Sequence, residues 1–397
     1  MALDPVDTLS QLVAIPSVNP MGRGLTGPEF LETRVTQRLE EMFDALGVPW
    51  TRQSVEPDRD NIIARLDGAV SPEQGGQVIL WEAHQDTVPV DGMTIDPWDP
   101  IVRDGKLQGR GSCDVKGGMT AMLAAFSRLV EERPPGMPTL LIACTINEEY
   151  GYSGARRLTE MWAGENDSFF PRAPDAVIVA EPTNLNVVVA HKGTLRWKCR
   201  VRGRAAHSSQ PHLGDNAIYK MARVLIALEA YHREIVPTIS KHPLCGSPSL
   251  SVGTISGGLS VNTVPDECVI DIDRRLLPGE HGEAVFRQVQ EFVAGYQDVP
   301  QEIEHDEPWM WGDSLSADHN ETVAGRLRDA SVETGGRCEL VGVPYGTNAS
   351  QFARAGIPSV VFGPGSIDQA HTADEWLSLD ELHRAVEILH RFGSQGL

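Results

Sequence analysis

Apolar positions along this chain follow two rhythms. From the N-terminus to about residue 192, short continuous apolar runs alternate with stretches of helical period. Asp4 to Ile15 reads as an amphipathic helix with Leu9, Leu12 and Val13 on its inner face, closed by Pro16 and a Ser-Val-Asn-Pro turn. Pro28 to Leu46 repeats the pattern at Leu31, Val35, Leu39, Met42 and Phe43 and stops at Gly47. Strands are predicted at 61–66, 77–81, 139–146 and 175–180, because unbroken apolar runs of that length mark buried strands. Helices are predicted at 119–131 and from Asn147 onward. Strands alternating with helices predict an α/β sandwich around a central sheet.

At Gly193 the rhythm changes. Thr194 to Val201 alternates as a half-exposed strand, followed by a helix over 216–231, strands at 249–255 and 267–276, a helix over 283–296 and a strand at 301–305. This β-α-β-β-α-β order is the split βαβ arrangement of a ferredoxin-like α+β domain. After about Pro308 the first style resumes, with a helix at 319–333, a strand at 338–342, the segment 349–355, a strand at 359–362 and a helix at 379–392. The expected organisation is therefore an α/β domain (residues 1–192 and 308–397) interrupted by a smaller inserted one (193–307).

Bulk properties narrow the function classes. The chain has 397 residues, 41% of them hydrophobic, with 38 Gly and 27 Pro, as expected of a loop-rich globular protein. A formal charge of −21 argues against nucleic acid, whose phosphates it would repel. Apolar runs of about 18 residues are absent, so no membrane span is expected, and the N-terminus lacks the basic and apolar regions of a signal peptide. Six cysteines without C-x-x-C spacing fit reduced thiols in a cytoplasm.

The candidate chemistry collects at predicted strand ends. His84 and Asp86 leave the strand 77–81 at i and i+2, on one face. Asp114 stands in the glycine-punctuated turn Gly109-Arg-Gly-Ser-Cys-Asp114-Val-Lys-Gly117-Gly118. Glu148 and Glu149 follow the strand 139–146, Glu181 follows 175–180, and His371 lies in Phe362-Gly-Pro-Gly-Ser-Ile-Asp-Gln-Ala-His371-Thr-Ala-Asp-Glu375. Each has an ordinary reading alone: Glu148-Glu149 as a helix first turn offsetting the dipole, Glu181-Pro182 as a turn, His371 as a loop residue. Together, two histidines and three carboxylates can ligate two metal ions with one carboxylate bridging.

With the motifs His84-Gln-Asp86-Thr-Val-Pro89, Gly109 to Gly118, Asn147-Glu148-Glu149-Tyr-Gly-Tyr-Ser-Gly154-Ala, Ala180-Glu181-Pro182-Thr183 and Gly363 to His371, the chain resembles a di-zinc family. That family of deacylases and exopeptidases includes acetylornithine deacetylase, succinyl-diaminopimelate desuccinylase, aminoacylase and carboxypeptidase G. The resemblance implies a three-layer zinc-hydrolase catalytic domain and an inserted lid and dimerisation domain, hence a homodimer. It implies two zinc ions, with cobalt a substitute: His84 and Glu181 on one, Glu149 and His371 on the other, and Asp114 bridging. It makes Glu148 the general base and Asp86 the partner orienting His84, and implies a cis peptide after Asp114.

In the inserted domain the resemblance points to His207 as the residue holding the reacting oxyanion. It places substrate contacts at Asn262, Arg275, Gly346 and Thr347. Arg274 is the alternative to Arg275, whose strand face it does not share. The segment Tyr345-Gly346-Thr347-Asn348-Ala349 departs from the family, in which this position is commonly acidic, as recognition of a cationic side-chain amine would need. The implied reaction is hydrolysis of the amide of a small N-acyl-L-amino acid, with acetylornithine the first substrate and succinyl-diaminopimelate the second. A dipeptidase or carboxypeptidase is a third reading, and a metal-free binding relative without catalysis a fourth.

Overall fold

The structure, a computed structural model, describes residues 2–162, 169–170 and 172–397. It opens with helix α1 (Pro5–Val13), whose Asp4 cap accepts the Asp7 N–H. Helix α2 (Thr33–Leu46) ends at Gly47 in the left-handed conformation. It is shorter than the apolar period predicts. Phe30 bridges Val18 and Leu31 has φ 65°, so residues 28–32 go into a bridge and a bend instead of a first helical turn.

The strands β1 (Trp50–Glu56), β2 (Arg59–Leu66) and β3 (Val78–His84) follow, then the short pair β4 (Ile101–Arg103) and β5 (Lys106–Gln108). Helix α3 (Lys116–Glu132) leads to β6 (Thr139–Thr145), α4 (Ser153–Trp162), β7 (Ala176–Val179) and β8 (Val187–His191). Helix α4 does not begin at Asn147 as the pattern predicts. Asn147 and Tyr152 have φ of 60° and 57°, and the stretch between them is a turn.

Next come β9 (Gly193–Arg202), β10 (Ala206–His207), α5 (Ala217–Ala230), β11 (Ser249–Gly257), β12 (Thr263–Val264), β13 (Glu267–Leu276), α6 (Gly282–Gly295), β14 (Ile303–His305) and β15 (Met310–Gly312). The chain ends with α7 (Glu321–Glu333), β16 (Leu340–Val343), α8 (Ala349–Arg354), β17 (Ser359–Val361), β18 (Trp376–Ser378) and α9 (Leu379–Gln395).

Two compact units result, one of residues 1–189, 317–341 and 347–397, the other of 190–316 and 342–346. The first is built on an eight-stranded sheet of order β1-β2-β6-β3-β7-β17-β8-β16. Strands β6, β3, β7 and β17 run parallel at its centre. They are buried throughout, which is why they read as unbroken apolar runs. Alternate residues point to opposite faces. Ile79, Trp81, Leu140, Ile142 and Ile178 join the core formed with α1, α2, α3 and α9. Leu80, Leu141 and Val177 are equally buried on the other face, so both faces are covered and the domain has three layers. All four parallel strands deliver their C-terminal ends to one edge, where open α/β sheets place their chemistry.

In the second unit β11, β13, β9 and β14 form an antiparallel sheet in that order, with β15 also on β9. This is the ferredoxin-like order. Cys268, Ile270, Ile272 and Leu276 of β13 meet Met221, Val224 and Leu228 of α5 and Val285, Val289 and Val293 of α6 in a separate core. The opposite strand residues stay half-exposed.

Phe126, fully buried on α3, fills the first core. Phe126→Ala is expected to lower unfolding stability by about 3–5 kcal/mol, measured by denaturant titration.

Candidate metal centre

His84 is the last residue of β3 and is 2% exposed. Its Nδ1 lies 2.9 Å from the Asp86 main-chain carbonyl. A carbonyl only accepts, so Nδ1 carries a proton, and in the neutral ring that a metal would bind Nε2 offers its lone pair. That Nε2 faces Asp114 Oδ1 at 3.2 Å. On the other side of the same carboxylate, His371 Nε2 stands 3.1 Å from Asp114 Oδ2 and 3.4 Å from Glu149 Oε2. Each Asp114 oxygen is thus shared with one histidine. The loop bearing Asp114 needs Gly109 (φ 146°) and Gly111 (φ 81°), conformations closed to other residues. The Asp114–Val115 peptide is cis.

Glu148 and Glu149 leave the turn after β6 in different directions. Asp86 holds that turn: its Oδ1 accepts the Glu148 N–H at 3.1 Å and its Oδ2 the Glu149 N–H at 3.2 Å. Asp86 Oδ1 also lies 3.6 Å from His84 Nδ1, so the closer contact to the imidazole is the Asp86 carbonyl. Asn19 Nδ2 donates to Asp86 Oδ2 and to Asn147 Oδ1, both at 2.8 Å. The Asn147 N–H donates to Glu32, which forms a buried ion pair with Arg59 at 2.5 Å. Asn19, Glu32 and Arg59 carry no chemical signature in the sequence, and only their convergence here shows what they support. Asn147 and Glu375 lie inside recognisable motifs, where neither residue type announces a supporting role.

His84, Asp114 and Glu181 bring ligand atoms within 4.8 Å of one another, as do Asp114, Glu149 and His371. Glu148 belongs to neither group. Burial, and then the charge of Asp114, raise the pKa of Glu149 and of Glu181. Burial raises Glu148 against the pull of His84. Burial also opposes the charged form of His371, but the carboxylates of Asp114 and Glu149 outweigh it and hold its pKa up. The pocket is short of positive charge. Glu149 Oε1 is buried with no hydrogen-bond partner, and His84 Nε2 faces a carboxylate oxygen. Imidazole nitrogens and carboxylate oxygens in this ratio are a divalent-metal donor set, and these residues fit one.

The other predicted site residues lie elsewhere. Thr347 is buried, its hydroxyl accepting the Ala349 N–H at the start of α8. Asn348 is also buried and donates to Glu82 and Thr145. His207, Asn262, Arg275 and Gly346 belong to the second unit. There, Ser208 N–H donates to the Asn262 carbonyl at 3.0 Å, which joins the strand of His207 to Asn262. His207 Nδ1 accepts the Ser209 N–H at 3.2 Å, which leaves Nε2–H as a donor. Arg274 is buried and paired with Glu280 at 2.7 Å. Arg275 is half-buried on the opposite face and donates to Asp273 and Thr194.

Comparison with known proteins decides the family. The sequence pattern described as Peptidase family M20/M25/M40 matches residues 80–395. The chain belongs to that family. The acetylornithine deacetylase of Vibrio campbellii is 31% identical over 377 residues, covering 90% of each chain. That of Myxococcus xanthus is 30% identical over 363 residues, covering 88% of each. Among solved structures, the M20 metallo-carboxypeptidase Sso-CP2 of Sulfolobus solfataricus superposes with TM-score 0.77 at 17% identity, covering 99% of both chains. The Bacillus subtilis YXEP protein, a dinuclear metal-binding peptidase from the M20 family, gives 0.67 at 16%, covering 98% of this chain and 96% of its own. This M20-family member is therefore a hydrolase of the amidohydrolase type, with the fold of the family.

The buried support of the carboxylate turn has a measurable consequence. Asn19→Ala removes the donor shared by Asp86 and Asn147, and is expected to cost about 1–3 kcal/mol in denaturant unfolding.

Proposed function

We propose that this M20 enzyme is a two-metal N-acyl-L-amino-acid deacylase, with acetylornithine as its first substrate. The observation that carries the reading is Asp114, whose two oxygens each face a different histidine while Glu148 stays outside both donor sets. The substrate assignment is supported by the acetylornithine deacetylases at 30–31% identity. In this reading His84 and Glu181 hold one ion, Glu149 and His371 the other, and Asp114 bridges. Zinc is the proposed metal and cobalt its substitute. When bound, such ions polarise the scissile carbonyl and acidify the attacking water.

The chain's own residues supply the rest. In its ionised form, which cations bound beside it would favour, Glu148 takes the proton of the attacking water and returns it to the departing amine. Water and amide thus become carboxylate and amine. Asp86 fixes the direction of Glu148 and Glu149 through their two N–H groups. His207 donates Nε2–H to the developing oxyanion. Arg275, planar and half-buried, binds the substrate α-carboxylate with Asn262 and Gly346, whereas Thr347, fully buried, supports the start of α8. Arg274, buried against Glu280, is unsuited to that task.

Residues 193–307 serve in this account as the lid and dimerisation domain. Support comes from β11, an edge strand exposed over most of its length, and from Ile218, Tyr219 and Ile226 exposed on α5. Leu259 and Val261, at 94% and 101% exposure, make an apolar prominence beside them. An open strand edge with apolar neighbours pairs with its own copy across a two-fold axis.

Kinetics on N-acetylornithine, N-succinyl-diaminopimelate and dipeptides test the substrate. Acetylornithine is expected to give the highest kcat/KM; preference for either other class reassigns the enzyme within its family. Chelation is expected to abolish turnover and zinc or cobalt to restore it, with metal retention falling as pH falls because ligands must lose their protons. Full turnover by demonstrably metal-free protein would contradict this.

Glu148→Gln is expected to keep its metal while losing about 10²–10⁴ in kcat. Mixing it with His207→Ala tests the dimer: returned activity in mixed dimers places His207 in the partner's site. No return despite proven subunit exchange places it elsewhere.

A further inference from the structure

Glu375 lies four residues beyond His371, is fully buried, and has no role in the chemistry above. Its Oε1 accepts the N–H groups of Cys113 at 2.9 Å and Asp114 at 3.0 Å. Its Oε2 accepts the Gly111 N–H at 3.1 Å and Arg110 Nη1 at 2.7 Å. Three backbone N–H groups of one loop therefore converge on a single carboxylate, an anion-binding nest filled from within the chain. The contact runs in both directions. The Glu375 carbonyl accepts the Gly109 N–H at 3.0 Å, and Arg110 Nη2 reaches back to the Thr372 carbonyl at 3.3 Å.

We infer that Glu375 and Arg110 form a positioning strap that locks the loop of His371 onto the loop of Asp114 and so sets the metal position made by Asp114, Glu149 and His371. His371 needs such support. Its side chain is 52% exposed, and among the described residues its ring nitrogen pairs with Asp114 and Glu149, the carboxylates it would share a metal with. With φ 62°, its backbone sits in a region that costs energy unless the surroundings enforce it. Thr372 and Glu375, tied to the Asp114 loop, hold its C-terminal flank together with the bonds from Thr94 to the Ala373 carbonyl. His84 instead ends a buried central strand and is fixed by β3 itself. Loss of the strap therefore loosens the His371 position more than the His84 position.

The chemistry of the nest admits only a carboxylate. A glutamine at 375 has one acceptor oxygen, and its amide N–H groups would face backbone N–H donors whichever way it turned.

The inference rests on the two-metal reading, and the test separates the two. Wild-type enzyme, Glu375→Gln and Arg110→Lys are titrated with zinc against a competing chelator. Hydrogen exchange of the metal-free proteins is followed at 109–115 and 366–376. Wild type is expected to hold two equivalents; fewer would remove the two-metal reading and the metal half of this inference with it. Both variants are expected to hold one equivalent about 10–100-fold more weakly and the other, which shares Asp114, weakened by a clearly smaller factor. Both loops are expected to exchange faster in the variants even without metal, a result independent of metal number. Arg110→Lys keeps the charge but not the fork, and decides the matter should Glu375→Gln not fold. Wild-type affinity for both equivalents with unchanged exchange, or equal weakening of both, would overturn the strap.

Discussion

The Asp114 carboxylate, buried between two imidazole nitrogens, is the constraint on which the rest of the site depends. One of those nitrogens, His84 Nε2, is the free position of the neutral ring, because the other nitrogen donates to the Asp86 carbonyl. Around this pair, burial pushes the carboxyls of Glu148, Glu149 and Glu181 up. Buried charge of one sign is tolerated only when it is compensated. A cluster so short of cations is costly to fold unless something positive completes it, and in this reading divalent ions do. The acidic pocket is then a stored affinity whose free energy is regained on loading.

The fold meets that cost with rigid supports. Four parallel strands, buried throughout, bring His84, the Glu148–Glu149 turn, Glu181 and the 363–371 loop to one edge of the sheet. Beneath the edge, each functional turn is held by a carboxylate receiving backbone N–H groups: Asp86 under Glu148 and Glu149, Glu375 under Asp114. Hydrogen bonds to charged acceptors are among the stronger ones available. Glycine is placed where the turn demands it. A Cβ at Gly363 would come within 2.5 Å of the Glu181 carbonyl oxygen, so the approach of the His371 loop to the Glu181 strand end excludes any side chain there.

Much of this is legible in the sequence because it is written locally. The apolar runs of β3, β6 and β7, the alternation of β9 and β13, and the histidines and carboxylates at strand ends each follow from neighbouring residues. Elements governed by backbone geometry were less visible. Residues 28–32 keep a helical apolar period yet are held by the Val18–Phe30 bridge, and positive φ at Asn147 and Tyr152 delays α4 without altering composition. Strands β4, β5 and β18 are three residues each; β4 and β5 form a local hairpin across Asp104-Gly105, whereas β18 joins β5 from more than two hundred and fifty positions away, beyond the reach of any local pattern. Asn19, Glu32, Arg59 and Arg110 look like ordinary surface polar residues until the fold brings them under the site.

The most direct test of the central claim is anomalous diffraction from crystals of the metal-loaded enzyme, measured on either side of the absorption edge. Two peaks separated by about 3.5–4 Å, with Asp114 between them, His84 and Glu181 at one and Glu149 and His371 at the other, are predicted. A single peak, or peaks that Asp114 does not bridge, would contradict the account.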